Sequence, residues 1–256
     1  MINCLMDNNN NNTNYENSIN NDQVLQYNFG KQHFFIGGSI GTGKTTLVNL
    51  ILEYMDFYSH TVVIKEFINY DKGGEIKLHH LHNRLISNYE FQQYVLDCYE
   101  KQLNSELYEE ADFVLWVRHP IESLEIFCKN NDSLSVKERS QLDLRMKQMC
   151  RRYSIPNIRD KSVAVLNVDT SRLSIEIIQE AIINTYIHPA MLGIMERDLY
   201  VFLFCGDTDT QFKRIKKRGR TVELEQYKKK EDLFSLNDVY YMFYSNIIEE
   251  KLKQSN

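Results

Sequence analysis

The stretch GGSIGTGKTT, residues 37–46, constrains this chain more than any other. Gly38, Ser39, Ile40, Gly41, Thr42, Gly43, Lys44 and Thr45 fit the spacing glycine, four residues, glycine, lysine, threonine, directly after the apolar run HFFI at 33–36. Glycines lack the Cβ that would keep the backbone off an anion, so successive N–H groups can turn inward while the following helix presents its positive end. Strand, loop and helix in that order form the setting in which this spacing cradles nucleotide phosphates. Lys44 is then suited to reach the β- and γ-phosphates, and the Thr45 hydroxyl to face Mg²⁺. A plain glycine-rich turn with a surface lysine would leave the agreement between motif and flanks unexplained.

The rest of the chain continues the alternation. Residues 45–55 carry Leu47, Leu50, Ile51 and Tyr54 at helical spacing. Residues 61–64, 111–117 and 199–205 are short, apolar and followed by polar side chains, the pattern of buried parallel strands whose carboxyl ends carry function. Residues 163–168 read as a further strand, and 89–103 and 174–186 as helices. Residues 224–253 have helical composition, with Leu233, Leu236, Tyr240, Phe243 and Ile247 recurring on a packing face. The fold class is α/β, a P-loop fold with a parallel sheet of about five strands flanked by helices. Residues 1–29, dominated by asparagine, read as a disordered arm. Residues 30–256 read as one domain, in which about 130–197 fits the rhythm less well and reads as an insertion.

A chain of 256 residues with 43% hydrophobic content can bury one substantial core. Its net charge of −5 excludes the overall basic footprint of a dedicated nucleic-acid binder. Cysteines at 4, 98, 128, 150 and 205 have neither metal-ligand nor disulfide-scaffold spacing, which implies reduced thiols and a location in cytosol or nucleus. No apolar stretch approaches the roughly 20 residues needed to span a bilayer. His79, His80 and His82 lack a cysteine or carboxylate partner at familiar spacing and read as a polar helix segment.

Three places beyond the loop carry chemistry. Glu66 ends the second strand, where substrates of open α/β sheets bind, and can take a proton from an attacking hydroxyl or simply be solvated. The third strand runs into Arg118, His119, Pro120 and Ile121. The basic run at 213–220, with arginines at 214, 218 and 220, suits a lid that folds over a transferring phosphoryl group, although such runs also serve as import signals, nucleic-acid patches or solvated faces.

In that order the residues resemble the deoxynucleoside kinases, most closely the herpesvirus-type thymidine kinases. The similarity lies in the loop at 38–45, Glu66 with Tyr70, the glutamines after Phe91, the arginine-histidine-proline-isoleucine run at 118–121, and the lid with Glu223 beyond it. It covers roughly 33–127 and 199–247. The resemblance implies Glu66 as the general base for the sugar 5′-hydroxyl, with Arg118 steadying that base and the phosphoryl group. Gln92 is implied as the reader of the nucleobase edge, with Gln93 beside it as a competing choice. Arg218 and Arg220 are implied on the ATP phosphates with Arg214 nearby, and Glu223 on the 3′-hydroxyl. It also implies ATP with Mg²⁺, a viral protein of the host cytoplasm or nucleus, and leaves a homodimer open; nucleic acid and membrane are not implied partners.

Three departures stand out. The family motif begins with an acid where this chain has Val117, so the metal would rest on Thr45, water, ATP and Glu66. Phe67 replaces the proline after the base and Asp71 a second aromatic, leaving Tyr70 or Tyr94 to stack a base or to pack in the core. The interval before the lid is long, and 163–168 resembles the last strand of those kinases, which normally follows the lid. The leading function is phosphoryl transfer from ATP to the 5′-hydroxyl of a deoxynucleoside, thymidine or another pyrimidine. The alternatives are a catalytically impaired nucleotide-binding homologue with an interaction or scaffold role, and a nucleoside monophosphate kinase, for which no extra cations can be assigned.

Overall fold

A computed structural model describes residues 30–56, 59–128, 134–195 and 197–255, so the asparagine-rich arm and Cys4 lie outside the described residues. Within them, β1 (Gln32–Gly38), β2 (Thr61–Ile64), β3 (Phe113–Val117), β4 (Ala164–Asp169) and β5 (Leu199–Phe204) form one parallel sheet in the order β2-β3-β1-β5-β4. This is the α/β phosphate-loop architecture that the sequence implies. β1 lies at the centre, with Phe35 opposite Trp116 on one side and Tyr200 on the other.

Side chains alternate between two cores because strand period is two. Phe35, Val114, Trp116, Tyr200 and Phe202 enter the core shared with the helices Asn88–Leu103, Val136–Arg152 and Phe234–Ser255. Phe34, Ile36, Leu115, Val117 and Val201 enter the other, beneath the helices Lys44–Met55 and Ile175–Ile182. Burial on both faces makes these strands continuous apolar runs in the sequence. Two polar side chains within the core pair with each other: Trp116 Nε1 donates to His33 Nδ1 at 3.0 Å. Burial pushes that imidazole down to about 3, so it stays neutral and can accept.

The helices start where capping chemistry dictates. Ser87 with Glu90, and Ser135 with Glu138, form capping boxes at the heads of Asn88–Leu103 and Val136–Arg152. The helix expected at 174–186 divides into Ile175–Ile182 and a π-helical turn, Ile183–Ile187. Pro189, just downstream, cannot donate to the carbonyl four residues back, and the regular ladder cannot run through it. The tail packs: the helix Phe234–Ser255 buries Tyr240, Phe243 and Ile247.

β4 occupies the sheet edge beside β5, pairing from Ala164 against Leu199 to Asp169 against Phe204. The edge strand therefore comes from chain that precedes the lid. No helix among the described residues is long and apolar enough to cross a membrane.

The turn out of β1 leaves no room for a side chain. Gly38 has φ of 129°, and a Cβ there would lie 2.0 Å from the Leu203 carbonyl oxygen. Gly38→Ala is expected to lose about 2–4 kcal/mol in urea unfolding. Gly30→Ala, with nothing within 4 Å of the added atom, should change stability by less than about 0.5 kcal/mol. Equal unfolding midpoints for the two variants would contradict this account of the turn.

Candidate active site

The phosphate loop leaves β1 at Gly38, turns at Gly41 (φ 74°) and Gly43 (φ 93°), and enters the helix Lys44–Met55. Lys44 is buried, its ammonium donating to the Ser39 carbonyl at 2.8 Å, an acceptor shared with the Thr42 hydroxyl at 2.9 Å. Burial pushes the Lys44 pKa down to about 7, Arg118 adds to the fall, and Glu66 and Glu122 oppose it. The Thr45 hydroxyl is on an exposed residue at the head of the helix. From below, the buried Gln211 donates to the Ile40 carbonyl at 2.7 Å and to Ser39 Oγ at 3.3 Å, tying the loop to the helix Thr208–Arg218.

Glu66 follows β2 and heads the short helix Phe67–Tyr70. Its position is set by Gln102, whose amide accepts from the Lys65 N–H at 2.8 Å and donates to the Lys65 carbonyl at 3.0 Å, as a neighbouring strand would. The Glu66 carboxylate accepts from Arg118 Nε. Burial alone would raise its pKa, but Arg118 and Lys44 beside it hold the carboxyl below its ordinary value.

Arg118 has φ of 77°, left-handed backbone that L residues avoid. Its Nη1 donates to the Gly38 carbonyl at 2.7 Å, to Glu122 Oε2 at 3.1 Å and to the Tyr240 hydroxyl. Sequence reasoning missed Gln102, Glu122 and Tyr240. Glu122 sits four residues after Arg118, the spacing of a helical ion pair, and that was the available signal. His119 accepts from the Ile121 N–H at 3.0 Å, and burial lowers its pKa to about 4.

A cavity of about 250 Å³ opens between these groups and the lid, and its walls include Lys44, Glu66, Phe67, Phe91, Gln92, Arg118, Arg218, Arg220 and Glu223. Gln92 is buried and bonds Asn88, whereas Gln93 turns to Tyr89 and Arg145 outside the cavity, so the competing glutamine is not in the wall. Glu223 is buried under Arg218 and Arg220, the latter at 3.1 Å. Arg220 also reaches Asn69 Oδ1 at 2.5 Å, so the lid closes onto the turn after Glu66. Arg214 points away, to Thr170 Oγ1 at 2.9 Å and the Thr170 carbonyl at 2.7 Å.

Tyr70 and Tyr94 are outside the cavity wall. Tyr70 ends its helix 40% exposed, and the Tyr94 hydroxyl is drawn to Asp71 Oδ2 at 2.7 Å. Phe67, the residue in place of proline, and Phe91 supply the aromatic wall instead, edge to face with centroids 5.2 Å apart.

Among the described residues no cluster of three or more histidine, cysteine, aspartate or glutamate side chains could hold a metal, His79, His80 and His82 included. Val117 is buried among aliphatic side chains and offers no oxygen. Near the loop the Thr45 hydroxyl stands at the exposed head of the helix and Glu66 is already bonded to Arg118, which fits a divalent ion carried in on nucleotide phosphates rather than one held by the protein alone.

Glycine cradle, buried lysine, strand-end carboxylate and arginine lid around one cavity define a phosphate-loop kinase of the α/β class. A sequence profile described as deoxynucleoside kinase matches residues 34–166, more than half of the chain. The chain belongs to the deoxynucleoside kinase family, whose members transfer a phosphoryl group to a deoxynucleoside from ATP with a divalent metal, generally Mg²⁺. No curated protein sequence matches it. Its fold is similar to that of deoxyadenosine kinase from M. mycoides with bound dATP, at 18% identity and a TM-score of 0.50, over 86% of this chain and 87% of that one. The same enzyme with products dCMP and a flexible dCDP gives 19% identity and a TM-score of 0.48 over 85% of each chain.

The depressed Lys44 ammonium has a measurable consequence. Phosphate oxygens beside it favour the charged form, so its pKa rises on nucleotide binding and a proton is taken up. Calorimetric titration with ATP in buffers of different ionisation enthalpy should show uptake approaching about one proton at about pH 8, fading by about pH 6. Lys44→Ala should abolish that uptake.

Proposed function

We propose that this chain transfers the γ-phosphoryl group of ATP to the 5′-hydroxyl of a deoxynucleoside, with thymidine or another pyrimidine deoxynucleoside as acceptor. The observation that carries the reading is the shared cavity wall of Lys44, Glu66 and Arg118, which sets a carboxylate opposite the glycine cradle. Glu66 accepts the 5′-hydroxyl proton as the oxygen attacks the γ-phosphorus, the bond from that phosphorus to the β-bridging oxygen breaks, and ADP leaves. Its lowered pKa keeps the carboxylate ionised at neutral pH.

Residues 38–45 and Lys44 hold the phosphates, and Arg118, Arg218 and Arg220 balance charge on the transferring group. Arg214, expected beside the ATP phosphates, is instead held by Thr170 outside the cavity wall and takes no part in this reading. Gln92 reads the base edge against Phe67 and Phe91, and Glu223 receives the 3′-hydroxyl once the lid arginines turn to phosphate. Thr45 is the side chain that would contact Mg²⁺, which supplies charge neutralisation to the phosphates when bound. The pyrimidine preference is supported by the likeness of the 118–121 run to the thymidine kinases.

Val117 favours a second reading, a homologue that binds nucleotide without efficient turnover, because its buried aliphatic side chain cannot assist a metal. ADP release from Mg-ATP, measured with each deoxynucleoside and each monophosphate, separates the two. Nucleoside-dependent turnover, highest with thymidine and reduced at least roughly a hundredfold in Lys44→Ala and Glu66→Gln, is expected. ATP binding with no nucleoside-dependent ADP would establish the second reading, and a deoxyadenosine optimum would replace the pyrimidine assignment. Val117→Asp is expected to raise the rate if metal limits catalysis; an unchanged rate removes that explanation.

A further inference from the structure

We infer that Glu122 is a positioning residue of this site: a second carboxylate that shares the Arg118 guanidinium with Glu66 and keeps it seated when Glu66 engages the acceptor hydroxyl. The inference rests on Glu66 as the base, and adds a residue which neither the motif nor that mechanism requires.

Its niche is built for a carboxylate. Glu122 is fully buried, and one oxygen accepts from Arg118 Nη1 at 3.1 Å. The other accepts from the His119 N–H at 3.2 Å and the Tyr200 hydroxyl at 3.3 Å. A Cβ on Gly37 would stand 2.6 Å from that same oxygen, so β1 makes room for the acid by carrying glycine. Burial raises the Glu122 carboxyl pKa above its ordinary value against the pull of Arg118, the His119 N–H and Lys44. Its charge therefore depends on these paired and hydrogen-bonded contacts, which also fix its geometry relative to Arg118.

Arg118 needs such a partner. A guanidinium paired with Glu66 alone would compete with the hydroxyl for that carboxylate and, once displaced, would be a buried cation without a counter-charge. Glu122 removes the conflict, since it approaches a different nitrogen of the same fork and has no wall position of its own in the cavity. The left-handed Arg118 backbone aims the side chain so that both carboxylates reach it. Lys44 from the loop helix, Tyr99 from the helix Asn88–Leu103 and Tyr200 from β5 also face this pair of acids, and the ammonium shares in balancing them.

The test is steady-state kinetics of the full chain with Mg-ATP and thymidine, deoxycytidine or deoxyadenosine, whichever turns over fastest. Glu122→Gln keeps the shape and removes the charge. It should lower kcat roughly ten- to a hundredfold while KM for the nucleoside and the ATP dissociation constant stay within about threefold. Glu122→Asp, which keeps the charge, should recover part of that kcat. Should Glu122→Gln fail to fold, Tyr200→Phe takes its place, removing one bond to the carboxylate, with about a two- to fivefold loss in kcat alone. A kcat within about threefold of the parent for Glu122→Gln, or a loss shared between kcat and KM, overturns the inference while nucleoside-dependent turnover abolished by Glu66→Gln leaves the proposed function standing. Absent turnover in the parent, or an active Glu66→Gln, overturns the proposed function itself and the inference with it.

Discussion

The guanidinium of Arg118 meets Glu66 beyond β2, the Gly38 carbonyl at the end of β1, Glu122 in its own turn, and Tyr240 on the C-terminal helix. These groups are far apart in the chain, Tyr240 by 122 residues, and only the assembled sheet and its helices bring them within reach. A buried cation with carboxylates on two sides holds the loop, the strand ends and the last helix to one geometry, because displacing a carboxylate would leave a charge without a partner and displacing the Gly38 carbonyl or Tyr240 would remove a hydrogen bond from a buried donor. The arrangement tolerates left-handed backbone at Arg118 of a kind that costs about 1–3 kcal/mol, which the surrounding bonds offset.

The sheet shows which parts of such a fold are fixed and which are exchangeable. β1, β3 and β5 carry the loop, Arg118 and the approach to the lid, and they pair centrally with both faces covered. The outer strand β4 has only to match β5 in direction and register, so chain from before the lid serves as well as chain from after it. After the lid and two short helical segments, Thr221–Gln226 and Lys230–Leu233, the helix Phe234–Ser255 returns to the core, where Tyr240 and Phe243 pack and Tyr240 reaches Arg118.

What was legible in the sequence was local. The loop spacing and the doubly buried strands announce themselves within a few residues of chain, and the order of Glu66, Arg118 and the basic run carries the family resemblance. What was not legible depends on contacts across the chain. Gln102 matters through its grip on Lys65, which no periodicity encodes. Glu122 reads as an ordinary acid in a first turn until Tyr200 and Gly37 enclose it. The tyrosines mislead for a similar reason: Tyr94 packs against Phe67 and Phe91 of the wall, yet Asp71 takes its hydroxyl and its ring stays outside the cavity. The choice between Gln92 and Gln93 rests on which helix face meets the sheet, and Arg145 on the neighbouring helix takes Gln93.

The helix Asn88–Leu103 carries Gln92 in the cavity wall near one end and Gln102, the clamp on Lys65, near the other. The two lie about 15 Å apart on one rod at 1.5 Å per residue. Neither can shift alone without breaking intervening backbone bonds, so an ill-fitting occupant that pushes on the near end also tilts the mount of the carboxylate at the far end. In the proposed reaction molecular fit and chemical alignment are thereby yoked, and a poor guest is penalised in reactivity as well as in grip.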